Sequence, residues 1–223
     1  MNWQAFVLTA KLATLTSLIL LVISVPLALW LAFSPRRWKL LIESLVGMPL
    51  VLPPTVLGFY LLVAFGNGTA LGRWYERLTG GTLAFTFSGL VVASVIYSLP
   101  FAVQPMVATL RAVDQRLIDA ARTLGAGKWK IYAQIVLPLA WAGLLTGLIL
   151  SFAHTVGEFG VVLMVGGNIP GATRTLSIDI YDQVQSLNYG SANQTALMLL
   201  LFSYVLLCVV YGVNRRTLMW SSR

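Results

Sequence analysis

Few side chains in this sequence have the types and spacing that acid–base or metal chemistry requires. His154 and Glu158 are four residues apart, so they share one face of a helix and lie within reach of each other. A metal site would need further ligands, and the single cysteine, Cys208, can form neither a disulfide nor a cluster alone. No phosphate-binding loop of the form G-x-x-x-x-G-K-[ST] occurs. We therefore expect a chain that is not an enzyme, binds no cofactor and does not itself hydrolyse ATP.

Glu158 has two alternative roles within the sequence VGEFG. An ionisable residue inside a membrane span is a functional candidate by default, which makes Glu158 a candidate for a translocation path or a gate. Glu158 also follows Pro138 by 20 residues. That separation is about 30 Å of helix, which places Glu158 near one membrane surface. There the carboxylate can instead accept hydrogen bonds where Gly157 and Gly160 break the helix.

The composition places these residues in a membrane protein. The chain has 223 residues, of which 58% are hydrophobic and 10% charged, whereas soluble domains carry roughly 25% charged residues. Five runs have the roughly 20 apolar residues that a membrane-spanning helix needs. They are residues 12–33, 41–65, 83–109, 139–165 and 195–213. Runs of this length favour helices over the short alternating strands of a barrel, so the predicted fold is an all-α polytopic membrane protein with one domain, residues 1–223.

The net charge of +8 would suggest nucleic acid in a soluble protein, but the positions of the charges point to a membrane. Eleven basic residues fall on one predicted side of the membrane, in the first link, the third link and the tail. Three fall on the other side, Arg73, Arg77 and Arg174, and Lys11 lies at the edge of the first span. Because cytoplasmic loops carry the excess of Lys and Arg, we expect the N-terminus outside and the C-terminus in the cytoplasm, with no nucleic-acid partner.

Two of the predicted spans carry features that point to a moving part or a pathway. The second span contains GMPLVLPPTVLGF, whose prolines must kink or unwind the helix. In the fourth span, Gly143 and Gly147 form a small-xxx-small pair that lets two helices approach closely. Polar side chains in the third and fourth spans could line a narrow conduit. These candidates are Ser98, Gln104, Thr146, Ser151 and Thr155.

The third link contains a charged stretch, DAARTLGAGKWKIYAQIVLP, from Asp119 to Pro138. Asp114 can cap a short helix, and Gly125 can end it. Leu117, Ala120, Ala121 and Leu124 follow at helical spacing and predict one apolar stripe. A basic amphipathic helix could lie on anionic lipid. The alanines and glycines, which allow close approach to a groove, favour docking to a protein.

The spacing of this stretch resembles the "EAA" signature of ABC importer permeases, E-A-A-x3-G-x9-I-x-L-P. Asp119 replaces the glutamate, and every other fixed position matches. In that family the loop is a coupling helix in a cleft of the ATPase subunit. The resemblance therefore assigns the cytoplasmic loop 110–135 and its continuation to ATPase coupling. The matching positions, with the apolar residue before the glycine, are Asp119, Ala120, Ala121, Leu124, Gly125, Ile135, Leu137 and Pro138.

Other stretches are similar to molybdate permease subunits, including PLVLPPTVLGFYLL, VGEFG and GGNIPGATRT. The resemblance implies the five-span core of a type I importer in the inner membrane of a prokaryote. It also implies a second copy of the chain, two ATPases that use ATP, and an external oxyanion-binding protein. Asn168 and Arg174 then become candidate outer-loop contacts, with an ordinary loop charge as the alternative for Arg174.

Three alternative functions follow from the same residues. Tungstate and sulfate permeases share parts of the pattern, so the carried oxyanion stays open. A passive channel would not need a docking loop, and it would not explain the spacing from Asp119 to Pro138. A membrane enzyme would need catalytic side chains that converge, and the sequence supplies no such set.

Overall fold

The computed structural model describes residues 2–221 of the chain, and it describes side chains for residues 2–212. Every regular element in this part is a helix. Two of the tail arginines in the charge count, Arg215 and Arg216, have side chains outside the described part, and Arg223 lies outside it entirely. The charge of the tail therefore stays a prediction from the sequence.

The helices follow one another through short links. The first five are α1 Trp3–Phe33, α2 Lys39–Val51, α3 Pro54–Phe65, α4 Ala70–Thr79 and α5 Phe87–Arg111. The next group comprises α6 Gln115–Thr123, α7 Lys128–Ile131, a π-helical turn Tyr132–Val136 and α8 Leu137–Leu139. The last four are α9 Trp141–Gly157, α10 Gly160–Gly166, α11 Leu176–Gln185 and α12 Tyr189–Ser221.

Helices α1, α5 and α12 are each long and apolar enough to cross a membrane. The number of candidate spans rises to five if each of two bent helix pairs forms one span. The all-helical membrane fold predicted from composition is therefore present, with three to five spans in the described residues.

The proline-rich second run is divided into two helices, as its prolines predict. The axes of α2 and α3 differ by 112°. Leu52 and Pro53 between them have extended backbone. Pro54 is the first residue of α3, where the missing N–H is not needed and the fixed φ suits a helix. The break therefore follows from the positions of Pro53 and Pro54.

The fourth run is broken as well. The segment Lys128–Leu139 meets α9 at an angle of 68°. At its other end α9 stops at Gly157, Glu158 has extended backbone, and α10 begins at Gly160. The predicted helix break at VGEFG is confirmed, and α10 packs against α3 and α5.

The centre of the bundle is formed by α1, α5 and α9, which pack against one another. A side chain at Gly147 would lie 2.5 Å from the Ala102 carbonyl oxygen, and one at Gly143 would collide with Thr109. The small-xxx-small pair therefore brings α9 against α5, as its spacing predicts.

Several element bounds differ from the sequence prediction, including the first residues of α1 and α12. Helix α1 begins at Trp3 instead of residue 12, because the Asn2 side chain accepts from the Ala5 N–H and caps it there. Helix α12 begins at Tyr189 instead of residue 195. Helices α4 and α11 lie in links outside the predicted spans, since each has only ten residues and is too short to cross a membrane.

Candidate docking surface and translocation residues

Helix α6 has the two ends that the sequence predicts. The Asp114 carboxylate accepts from the Arg116 N–H at 2.9 Å and caps the first turn. At the other end Gly125 has φ +78°, the left-handed region that favours glycine. The N–H of Ala126 donates to the Ala121 carbonyl at 3.0 Å, and the N–H of Gly125 donates to the Arg122 carbonyl at 2.9 Å. These two bonds form a Schellman motif, so the turn depends on the glycine.

The apolar residues of α6 do not form the single docking stripe that we predicted. Leu117, Ala120 and Leu124 are exposed, whereas Ala121 is half-buried against the protein's own core. Ile118, which the predicted stripe omitted, is the buried residue of the helix. Helix α6 is short, and its Ile118 side packs against the bundle. Only the opposite side is free to contact a partner.

Ile118 connects α6 to the bundle. It belongs to one buried apolar cluster with Ile131 and Val136 of the following segment. The cluster also contains Leu31 near the end of α1, Val46 in the middle of α2 and Leu110 near the end of α5. Packed side chains therefore join α6 to the same buried cluster as α1, α2 and α5, and close-packed interiors deform little.

Asp119, the residue that departs from the EAA pattern, makes its contacts within α6. Its Oδ1 accepts from Arg122 at 3.0 Å and from the Gln115 amide at 3.1 Å. The Asp119 and Arg122 side chains are both more than half exposed. The Asp119 carboxylate is therefore accessible to a partner. An exposed ion pair of this kind contributes little to the stability of the helix.

The end of the signature, Ile135 to Pro138, lies at a π-helical turn. Residues Tyr132–Val136 form the turn, and the Leu137 N–H donates to the Tyr132 carbonyl. A wider turn suits the position before Pro138, which has no N–H to donate. The Tyr132 ring stacks on Phe33 at the end of α1, with centroids 5.6 Å apart. Ile135 and Leu137 are half-buried beside this contact, so they help to position the loop on the bundle.

Two large apolar side chains next to Gly125 are exposed. Leu124 is 87% exposed and Trp129 is 80% exposed. They belong to a short link rich in basic residues, where exposed large hydrophobics mark an interaction site. Leu124 is one of the predicted coupling residues, whereas Trp129, in the second short helix of the same loop beside Lys128 and Lys130, is not among them. Leu117 and Ala120 of the same loop are also exposed, and we call these four residues the docking surface.

Three of the predicted pathway residues form a hydrogen-bonded group between α5 and α9. Ser98 Oγ lies 2.8 Å from His154 Nδ1 and 3.0 Å from Thr155 Oγ1. Thr155 donates to the Ser151 carbonyl at 2.9 Å. The imidazole of His154 stacks on Phe101 with centroids 3.9 Å apart. Ser98, Ser151 and Thr155 are fully buried within the described part of the chain, so any pathway role requires α5 and α9 to move apart.

The other two pathway candidates differ from each other. Thr146 is buried, and its hydroxyl has no hydrogen-bond partner in the described part of the chain. Gln104 is exposed and lines a cleft of about 240 Å³ between α2 and α5. The same cleft holds an ion pair between Arg111 and Glu43, 3.0 Å apart. This long-range pair had no signal in the sequence, since its partners are 68 residues apart.

Glu158 is 4% exposed and lies between α9 and α10. We expected its carboxylate to accept hydrogen bonds at this break. In the structure neither carboxylate oxygen has a partner among residues 2–212, and the buried Ser94 hydroxyl has none either. No backbone N–H at the break donates to the carboxylate in this conformation, and both roles considered for Glu158, at the break or in a gate, stay predictions.

The two predicted outer-loop contacts bind each other. Arg174 donates through Nε to the Asn168 side chain at 2.6 Å, and its guanidinium lies 3.4 Å from Asp182 of α11. The Asn168 amide donates to the same carboxylate at 2.9 Å. The charge of Arg174 is therefore balanced by Asp182, and the triad fixes the loop between α10 and α11. A contact with a binding protein stays a prediction for both residues.

Comparison with known proteins identifies the class to which this fold and docking surface belong. Residues 24–219 match the family described as "Binding-protein-dependent transport system inner membrane component". That match covers most of the 223 residues. The chain therefore belongs to this family of multi-pass inner-membrane transport components, and it is not itself an enzyme.

Individual relatives are similar over nearly the whole chain. The molybdenum transport system permease protein ModB of Azotobacter vinelandii is 51% identical over 208 residues, which are 93% of this chain and 92% of the relative. ModB of Escherichia coli K12 is 39% identical, over 83% of this chain and 81% of the relative.

A solved structure confirms the fold alone. It is a bacterial alginate ABC transporter in complex with an alginate pentasaccharide-bound periplasmic protein. Its TM-score is 0.75 at 16% identity, over 96% of this chain and 78% of that chain.

Proposed function

We propose that this chain is the membrane subunit of an ATP-driven importer that carries molybdate across the inner membrane. The observation that supports the proposal most is the docking surface, an exposed apolar turn ordered by Gly125 and anchored by Ile118. A membrane protein that transports alone has no need of such a surface. The names of the two ModB relatives supply molybdate as the substrate.

The proposed topology has five spans, with the N-terminus outside and the docking surface in the cytoplasm. Two continuous spans would be α1 and α5, and each bent pair would form one more. Helix α12 would complete the set. The excess of basic residues in the loops next to α6 supports this orientation.

The proposed assembly contains a second copy of the chain, two ATPase subunits and an external oxyanion-binding protein. ATP would bind to the ATPases, and this chain would bind no cofactor. The alginate transporter, whose title names a periplasmic protein in the complex, supports an external partner. Lipid would surround the exposed apolar faces of α12, including Leu200 and Tyr204.

In this mechanism ATP-driven closure of the two ATPases displaces the docking surface. The displacement reaches α1, α2 and α5 through the buried cluster around Ile118. The breaks at Pro53 and Glu158 then provide the places where α3 can change direction relative to α2, and α10 relative to α9. The pathway opens between the two copies of the subunit.

The pathway residues would pass an oxyanion without binding it tightly. Ser98, Thr146, Ser151 and Thr155 offer hydroxyl groups and no charge. Conduction requires weak sites, so selectivity would belong to the binding protein. Glu158 would repel an oxyanion if it faced the path, and its burial keeps it away from the path in this conformation.

The substrate is tested by uptake into proteoliposomes that contain the permease, its ATPase and its binding protein. We expect molybdate to accumulate only when ATP and the binding protein are both present. Excess sulfate should leave molybdate uptake almost unchanged. Accumulation of tungstate or sulfate without molybdate would favour another oxyanion, and flux without ATP would favour a passive channel.

A further inference from the structure

Helix α4, Ala70–Thr79, is held firmly against the end of α3. The Thr69 hydroxyl donates to the Ala64 carbonyl at 2.6 Å and accepts from the Gly72 N–H at 3.0 Å. Gly72 is buried so closely on the Gly66 carbonyl that any Cβ there would collide with it. At the other end Gly80, with φ +74°, ends the helix. The orientation of α4 is therefore fixed by its own link.

One side of α4 is apolar and exposed. Leu71, Trp74 and Leu78 are spaced by three and four residues, so they lie on the same side of the helix. Trp74 is 59% exposed and Leu78 is 65% exposed. In contrast, Tyr75 packs against the buried cluster that contains Phe65. Tyr75 follows Leu71 by four residues and borders the apolar side, so the helix packs along the edge formed by Gly72 and Tyr75 and leaves Trp74 and Leu78 uncovered by the described residues.

Two cations flank this apolar side. Arg73 and Arg77 are exposed, and neither forms an ion pair within residues 2–212. The Arg73 side chain donates to the Gly68 carbonyl at 2.8 Å, which keeps it beside the helix. The acid of the helix, Glu76, accepts from the Asn67 amide at 3.4 Å. The uncovered apolar side is therefore bordered by positive charge that can bind an anion.

The order of the helices along the chain shows where α4 lies relative to α6 and the membrane. Helix α4 precedes α5 and α6 follows it, so the two surface helices lie at opposite ends of a membrane-spanning helix of 25 residues. Only residues 66–69 separate α4 from α3, whose Tyr60 and Val63 are exposed apolar side chains. The exposed apolar surface of α3 thus continues along the chain into that of α4.

We propose that α4 is an interfacial helix that lies in the headgroup region of the leaflet opposite α6. Leu71, Trp74 and Leu78 would be buried about 5–10 Å into the boundary with the acyl chains, the depth typical of such helices. Arg73 and Arg77 would contact the phosphates of anionic lipids. Tryptophan is enriched at this depth because its ring is apolar and its N–H can still reach a polar group. The helix would fix the outer end of α3 relative to the membrane surface.

The test measures the membrane depth of spin labels on the complete permease–ATPase complex. Labels are placed at Leu78→Cys and, as a matched control, at the neighbouring Thr79→Cys, which faces about 100° away. Both variants carry Cys208→Ser, because Cys208 is exposed. The complex is reconstituted in nanodiscs of phosphatidylethanolamine and phosphatidylglycerol. We expect the label at Leu78 to collide several-fold more often with oxygen than with a water-soluble nickel complex, and the control to show the reverse.

A second site and a charge variant extend this test. Leu71→Cys should show the same preference as Leu78→Cys, which covers the case in which one variant does not assemble. Replacing Arg73 and Arg77 with serine should at least halve the oxygen preference at Leu78. The same replacement should have little effect in discs without phosphatidylglycerol.

Two results would overturn the proposal. In the first, the labels at Leu71 and Leu78 collide with the nickel complex until the binding protein is added. That result would assign this side of α4 to protein docking. Low access to both reagents at both sites would assign it to a contact between copies of the chain. Neither result depends on which oxyanion is carried, so failure here is distinct from failure of the proposed transport function.

Discussion

Replacing Gly125 with valine is expected to reduce ATP-driven uptake at least tenfold while the protein stays in the membrane at its normal level. Gly125 has φ +78°, and nothing lies within 4 Å of a Cβ built there. The effect therefore comes from the backbone and not from a collision. A residue other than glycine pays roughly 1–2 kcal/mol in this conformation, and a β-branched one more. Uptake and membrane abundance are measured on the same vesicles.

Two variants serve as controls for this prediction. Gly125→Asn should retain most of the uptake, because asparagine tolerates the left-handed region. Gly127→Ala should be close to the unmodified protein, since Gly127 has φ −67° and open space around its Cβ position. Normal uptake by Gly125→Val would show that the Schellman turn is not required, and equal loss in Gly127→Ala would point to general damage to the loop.

Replacing Gly147 with alanine is expected to destabilise the bundle, because the new methyl group would lie 2.5 Å from the Ala102 carbonyl oxygen. The close contact involves backbone, so α5 and α9 must separate. Overpacking of this kind costs about 1–3 kcal/mol. The thermal midpoint of the purified protein in detergent measures the effect, and we expect a clear decrease.

Gly157 of the same helix is the matched control for Gly147. A Cβ at Gly157 meets nothing within 4 Å, so Gly157→Ala should leave the midpoint almost unchanged. Equal midpoints for both variants would contradict the close packing of α5 on α9.

The sequence predicted the parts of the fold that local rules determine. Proline positions located the break between α2 and α3, and glycines located the break at Glu158. Gly125 located the end of α6. Helix α4 had signals that were missed, namely a capping threonine at 69 and a terminal glycine at 80. Hydropathy alone does not reveal this helix, because it has only ten residues and several of them are polar.

The remaining features depend on contacts between distant parts of the chain. The burial of Ile118 instead of Ala121 depends on how α6 lies against α1 and α5, which helical spacing alone does not determine. The same is true of the Ser98–His154 hydrogen bond, which joins residues 56 positions apart. The absence of a partner for Glu158 within residues 2–212 is likewise a property of the packed bundle.

The most direct test places a photo-crosslinking amino acid at Leu124 in the assembled, reconstituted complex. Leu187 provides the control, because it is 72% exposed and lies in the link between α11 and α12. If the Gly125-ordered turn is held by a separate nucleotide-driven subunit, the probe at Leu124 will form an adduct with the ATPase and the probe at Leu187 will not. Adducts with lipid alone at Leu124, or labelling of Leu124 from the external side, would contradict the account.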